Sequence, residues 1–451
     1  MPGLIGPDDV RTVADAALEV TGADAVEVLL MHEWGGLTRF ANSSIHQSTW
    51  REDTAVRVRV VHQDRVGVAA TNDFSKEGAA RAAASALDMA RVAAPDPLFP
   101  GLAPPAETSQ KEGSFDEATA SAAPEARAEA VAGLVGSVDG DGFRAAGVVE
   151  TTAVEVAVAN TEGQFCYAPL TQATVSAVVS GGEGGAGAAE ATEGRLGGLD
   201  PAGIGTRAFA KARDSQHPSQ IDPGRFEVVL EPSAVATLLG FLSYMGFGGR
   251  SIEEDRSPFS GKEGQAVCAP SITISDDALS PQAIGLPFDF EGTPRRRVVL
   301  IEDGVFRSGV YDRRSARQSG RESTGHALPP PNPMGAFPLN LTMASGDATV
   351  EDMIGSTDRG LLVTRFHYSN VVHPIETTLT GMTRDGTWLI EHGEVTRPVR
   401  NLRFTQSILG ALADVRSVGR DSALVSEFFF AASRVPALRI GSFNFSGASD
   451  H

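Results

Sequence analysis

Cysteine is nearly absent: 451 residues contain two, Cys166 and Cys268, with no CxxC spacing. That excludes a disulfide framework and a thiolate metal knuckle. Both lie in apolar, strand-like runs (QFCYAPL and QAVCAPSITI), the setting of a small buried hydrophobe. Long apolar runs are also missing. No stretch of about 18 apolar residues occurs, so no membrane span is expected. The opening MPGLIGPDDV has no basic segment followed by an apolar one, so no secretion signal is expected and the protein reads as cytoplasmic. Positive charge is scarce: 38 Lys and Arg stand against 57 Asp and Glu, a net charge of −19, which argues against nucleic acid as the main partner. The one compact basic cluster is Arg295, Arg296 and Arg297, followed by Arg307, Arg313, Arg314, Arg317 and Arg321. It reads as a solvated strand edge and loop, or else as a strip for carboxylates or peptides. No GxSxG occurs, and no glycine-rich segment is followed by Lys-Ser/Thr, which disfavours a serine nucleophile elbow and a phosphate loop.

With 41% hydrophobic and 21% charged residues the composition is that of an ordinary globular protein, and 49 glycines with 26 prolines point to many turns. The length suggests two or three domains. Residues 8–21 read as an amphipathic helix with Asp8 or Asp9 near its N-cap. AVEVLLMHE is a strand, LTRFANSSIHQSTW a turn into another, and TAVRVRVVHQDRVGVAATN a hairpin turning near Gln63 and Asp64. The Ala-rich FSKEGAARAAASALDMARVA is the clearest helix. These elements make residues 1–95 a first α+β subdomain. A Pro/Gly-rich connector opens the second, 96–221. There EATASAAPEARAEAVAGLVGSV reads as helix, 142–180 as three strands and GGEGGAGAAEATEG as a glycine-rich surface loop. Residues 222–451 show short strands between Gly/Pro turns, with one apolar helix from Pro232 to about Met245. The expected fold class is α+β, ending in a mostly β domain wrapped around that helix.

Three segments resemble a known family in the same order: LTRFANSSIHQS (37–48), FEVVLEPSAVATLLGFL (226–242) and GLLVTRFHYSNVVHPIETTLTGMTRDGTWLIEHGEVTRPVRNLRFT (360–405). Each is similar to a region of the TldD/TldE (PmbA) metallopeptidases. In that family's catalytic branch the central helix carries H-E-x-x-x-H. Its histidines hold zinc and its glutamate activates the bound water, with a cysteine near the C-terminus as third ligand. Counting back from SPF (257–259), the matching window here is GFLSYM, which puts Gly240, Phe241 and Met245 where the histidine, glutamate and histidine stand. None of these side chains can do that work, and residues 422–446 contain no cysteine. The resemblance therefore implies the branch without zinc: no catalytic residue, metal ligand or cofactor in this chain. Zinc would sit in a TldD-like, HExxxH-bearing partner, the pair forming a heterodimer that cuts small or unfolded peptides. Independently of the resemblance, a Leu/Phe/Met-rich helix reads as core.

Three histidines are candidates for contacting peptide: His326, His367 and His373. His367 and His373 on one extended strand would lie about 20 Å apart, so a His367/His373/Glu376 metal site would need a loop between them. His326, in STGHALPPP, reads as a surface-loop histidine within reach of substrate. Residues 319–343 read as a flexible polar stretch, a Pro-rich stretch and a strand whose edge an extended peptide could join. Two other readings stay open: a stand-alone homodimeric amide hydrolase or tailoring enzyme, and a peptide-binding module.

Overall fold

The structure is a computed structural model that describes residues 3–109, 111–140, 142–426 and 432–448. Its first block runs α1 (Pro7–Leu18), β1 (Ala25–Ala41), β2 (Ser44–His62), β3 (Arg65–Thr71), α2 (Lys76–Val92). Asn42–Ser43 and Gln63–Asp64 both take positive φ, between 51 and 59°, the two-residue turn whose twist matches a hairpin. The first helix starts at Pro7 after Gly6, with no side-chain cap, and Asp8 and Asp9 stand in its first turn, near the N-cap as expected. Proline's fixed φ suits that position, where its missing N–H is no loss.

The second block runs α3 (Glu117–Ala120), α4 (Pro124–Gly136), β4 (Phe143–Asn160), β5 (Phe165–Gly181), β6 (Gly185–Glu193), α5 (Pro201–Asp214). Three expectations change here. Pro124 divides the anticipated helix in two, because it cannot continue a helical ladder. Residues 142–180 hold two long strands, not three. The third strand, β6, occupies the stretch expected to be a glycine-rich loop. Its glycines serve close approach: a Cβ on Gly187 would lie 2.3 Å from the Ala208 carbonyl oxygen, and one on Gly185 2.2 Å from that of Ala212. Bare backbone lets α5 lie directly on the strand.

β1 and β4 pair antiparallel, so both blocks share one sheet in the order β3-β2-β1-β4-β5-β6. α1 and α2 bury Ala14, Ala83 and Leu87 against Val28 and Val58 at one end. α4 and α5 bury Leu134 and Ala208 against Val149 and Val175 at the other.

The remaining chain contains β7 (Gly224–Leu230), α6 (Pro232–Gly246), α7 (Gly249–Glu253), β8 (Ile274–Asp276), β9 (Val298–Glu302), β10 (Val305–Phe306), α8 (Arg313–Ser319) and β11 (Leu341–Met343). It continues through α9 (Val350–Gly355), β12 (Arg359–His373), β13 (Thr378–Glu391), β14 (Glu394–Pro398), β15 (Leu402–Ser407), α10 (Ile408–Ala413), β16 (Val415–Ser426) and β17 (Ala432–Ala448). These strands form a second sheet in which β7 pairs with both β12 and β17, so β7-β12-β13-β15-β17 close into a ring. α6 packs on β12 and β17, and its side chains join Leu361, Val363, Leu438 and Ile440 in the largest core.

Cys166 lies in β5, whereas Cys268 lies in a loop before β8; both are buried and unpaired. Burial pushes each thiol up to about 12. The folded protein is therefore expected to resist iodoacetamide at pH 8 and to take up two equivalents once unfolded, because the thiolate is the reacting form. Intact-mass spectrometry reads this directly; rapid labelling of the native chain would contradict it.

Candidate functional site

α6 is apolar on nearly every face. Ala234, Val235, Ala236, Leu238, Leu239 and Leu242 are all buried, which is the pattern of a helix enclosed by its domain. It ends where Gly246 meets the Phe259 ring; a Cβ there would lie 2.6 Å from that ring. Phe247, Phe259 and Phe306 then stack, with centroids 5.0 and 4.5 Å apart, and fix the exit turn. Beyond this rigid end opens a cleft of 630 Å³. Ser243, Tyr244 and Met245 form one wall, Ala336 and Phe337 a second, and Ile375 at the tip of the β12–β13 hairpin a third. Two exposed charged residues, Asp255 and Arg256, also line it.

Of the three window positions, Met245 lines this cleft, while Phe241 packs partly buried against the main core. The helix thus offers a hydroxyl, a phenol and a thioether, with no imidazole or carboxylate. Among the described residues no group of three or more His, Cys, Asp or Glu is placed to hold a metal ion. The residues present do not fit a zinc site of the kind the resemblance implies for the catalytic branch. Residues 427–431, inside the stretch that would carry the third ligand, lie outside the described residues.

The histidines are dispersed. His367 sits on β12 opposite Met382, its ring 4.6 Å from that of Tyr368. Burial, with Arg384 and Arg365 nearby, holds its imidazole below the usual value. His373 is exposed at the end of β12, and its Nδ1 accepts the Glu376 N–H at 3.2 Å. It adjoins the cleft through its neighbour Pro374. His326 is a correction: expected on the surface, it is 0% exposed. Its Nε2 lies 2.9 Å from Asp276 Oδ1 and its Nδ1 2.8 Å from the Thr324 carbonyl. In this fold it cannot touch a peptide from solvent. Nor does β11 offer an edge, because β8 and β17 flank it on both sides.

The arginine cluster also differs from expectation. Arg295 is buried and donates to Asn340 Oδ1 at 3.1 Å. Arg313, Arg314 and Arg317 lie on a helix, α8, not a strand edge, and they grip the chain's own connector. Arg314 pairs with Asp96, Arg317 donates to the Phe99 carbonyl at 2.5 Å, and Arg313 to that of Gly101 at 3.4 Å.

Beneath that helix runs a buried charge network between the two sheets. Arg59 on β2 lies 3.3 Å from Glu27 on β1 and 3.1 Å from Glu291 in the loop before β9. Burial pushes the Glu27 carboxyl up to about 7 against the pull of Arg59. Asp289 accepts the N–H groups of Glu291, Thr293 and Ala327, yet burial and the Glu291 charge outweigh those bonds and push it up to about 7 as well. No sequence pattern marks this network, since its members are drawn from β1, β2 and a loop more than two hundred residues later.

Three family models match in series: PmbA/TldA metallopeptidase domain 1 over residues 26–90, the central domain over 105–216 and the C-terminal domain over 223–447. The chain is 25% identical to the metalloprotease PmbA of Escherichia coli O157:H7 over 458 residues, covering 96% of each protein. It is 29% identical to the TldD homologue of Buchnera aphidicola subsp. Acyrthosiphon pisum over 206 residues, which is 44% of this chain and only 41% of that protein. Its fold matches the crystal structure of TldE from Thermococcus kodakarensis with a TM-score of 0.88 at 22% identity, over 97% of this chain and 100% of that one.

Proposed function

The chain belongs to the PmbA/TldD metallopeptidase family, and from that premise we propose that it is the non-catalytic subunit of a two-subunit, TldD/TldE-type zinc peptidase. The observation that carries this reading is the end of α6, where Ser243, Tyr244 and Met245 face the cleft and supply no zinc ligand or general base. The zinc, the base and the attacking water belong to a TldD-like, HExxxH-bearing homologue. This chain contributes walls and peptide docking to the chamber the two enclose, through related surfaces in pseudo-symmetric contact. The substrates are small or unfolded peptides and the compartment is the cytoplasm. No helix among the described residues is long and apolar enough to cross a membrane.

The test is metal content and peptidase activity of the purified chain, alone and mixed with its HExxxH homologue. The chain alone is expected to be free of stoichiometric zinc and inert, and the mixture to form a heterodimer on gel filtration and cleave an unfolded peptide. Stoichiometric zinc in the isolated chain, or cleavage without the homologue, would refute the assignment and favour a stand-alone hydrolase.

A further inference from the structure

The sheet shared by the first two blocks has a strand whose outer side is only half covered. β1 is paired along nearly its whole length on both sides, by β2 and by β4. β2 pairs with β1 from Ser44 to Val61, but on its other side β3 covers only Val56 to His62. Residues 44–53 are thus an outer edge, all of them exposed except the half-buried Trp50. The turn at Gln63–Asp64 tells which groups point outward. A two-residue turn makes its flanking residues, His62 and Arg65, a hydrogen-bonded pair. Bonding direction alternates along a strand, so counting back by twos assigns the N–H and C=O of Glu52, Trp50 and Ser48 to the open side. Among the described residues no main-chain group meets them there. The Thr54 hydroxyl donates to the Asn72 carbonyl at 2.9 Å and closes one end of this edge. At the other end the register slips between Arg39 and Phe40, leaving His46 as the extra residue of a bulge.

An unpaired row of main-chain donors and acceptors is completed by another extended chain. A second copy of this protein fits the row poorly. A stable dimer takes about 20–30 residues from each partner, whereas this edge has ten, with Ile45 its one largely exposed hydrophobic side chain. Each copy also carries a net charge of −19, so two copies repel. A short extended peptide needs only the edge, and the surroundings set its charge. Glu52 and Asp53 stand on the edge itself, Glu33 lies directly opposite Asp53 on β1, and Glu150 is close by. Arg51 is the cation at this end and is already paired with Glu33; Arg39 lies at the far end, opposite Gln47. We propose that the outer edge of β2 docks an extended peptide as an added strand, hydrogen-bonded to Ser48, Trp50 and Glu52, with a lysine or arginine side chain beside Glu52 and Asp53. The inference rests on the peptide-handling role proposed above and gives it a place, a main-chain mode of binding and a charge preference.

The experiment uses the full chain and three capped, fluorescein-labelled octapeptides, read by fluorescence polarisation. The first alternates threonine and lysine, the second carries glutamate in place of lysine, and the third is the lysine peptide N-methylated at its two central residues. Adjacent N-methyl groups block both edges of the peptide and leave its charge unchanged. The lysine peptide is expected to bind at least about tenfold more tightly than either of the others. Ser48→Pro removes an outward N–H and no bond to β1, a change that edge strands accept. It is expected to weaken the lysine peptide about tenfold with little change in melting temperature. Glu52→Gln with Asp53→Asn, both exposed, is expected to weaken it several-fold and guards against a misfolded proline variant. Equal binding of the N-methylated peptide, equal binding of the glutamate peptide, or unchanged affinity in the folded variants would each overturn the site. So would a chain that sediments as a dimer and becomes monomeric with Ser48→Pro, which assigns the edge to a second copy. Absence of lysine-peptide binding beside a fully active mixture with the homologue defeats the docking edge alone. Binding beside an inert mixture supports the edge and defeats the subunit reading.

Discussion

Arg59→Met is expected to lower the unfolding free energy by about 3–5 kcal/mol, the usual consequence of removing one partner from a buried ion pair. Glu27 and Arg59 are directly opposed in the β1–β2 register, and Glu291 reaches the same guanidinium from the other sheet. Side-chain exposure is 12% for Arg59, 1% for Glu27 and 10% for Glu291. Methionine nearly preserves the volume, so the loss is electrostatic: two carboxylates then face each other, with Asp289 close by. Glu27 Oε1 already lacks a hydrogen bond, being held at ion-pair distance only. Urea titration is expected to show a lower midpoint with an unchanged slope. The double variant Arg59→Met with Glu27→Leu is expected to recover a large part of the loss, because the stranded charge disappears with it. A change within about 0.5 kcal/mol, the range of ordinary surface substitutions, would show that the network is solvated and that Arg59 does not tie the sheets together.

The second large effect is a stability that declines as pH rises toward neutrality. A carboxyl whose folded-state value lies above its unfolded value binds its proton more tightly when folded. Its contribution is therefore complete below the unfolded value and lost as pH rises through the folded one. For Glu27 those limits are 4.5 and about 7; for Asp289 they are 3.8 and about 7. Each corresponds to roughly 2–4 kcal/mol across the window, and their coupling makes the sum smaller than twice that. At the acid end the sign reverses. Asp276, beside His326, and Glu155, which accepts from His32 and Tyr167, are both held below the ordinary carboxylate range despite burial. Their contributions are lost as pH falls through those depressed values. Unfolding free energy is thus expected to be greatest near pH 4 and to fall between about pH 4 and 7. Denaturant titrations at about pH 4, 5, 6 and 7 measure it, and Glu27→Gln is expected to flatten the slope. A stability that rises from about pH 4 to 7 would mean that Arg59 keeps both carboxyls ionised.

Much of the architecture is legible in local pattern. The apolar alternation on either side of Gln63–Asp64 requires a hairpin, and the Ala-rich run that became α2 starts on a Ser75 cap. The run from Pro232 could only be a buried helix. Where the reading failed, a residue served a neighbour distant in sequence. The glycines of β6 signal flexibility in isolation, yet they make room for α5. STGHALPPP has the polarity of a surface loop, but Asp276, fifty residues earlier, draws His326 into the interior. Arg295 follows the same logic, held between Asn340 and the Asp276 charge. The α6 cleft has no signature because its walls come from around positions 243, 336 and 375, each unremarkable alone.

By itself, then, the sequence determined the succession of α+β blocks, the apolar central helix and the likeness to the TldD/TldE family. Those features follow from periodicity and capping, which act over a few residues. Only the tertiary structure decided which charges are buried, which glycines are contact points, and that the Ser243 hydroxyl is enclosed without a partner. Desolvation and packing depend on what folds against a residue, and here those partners lie tens to hundreds of positions away.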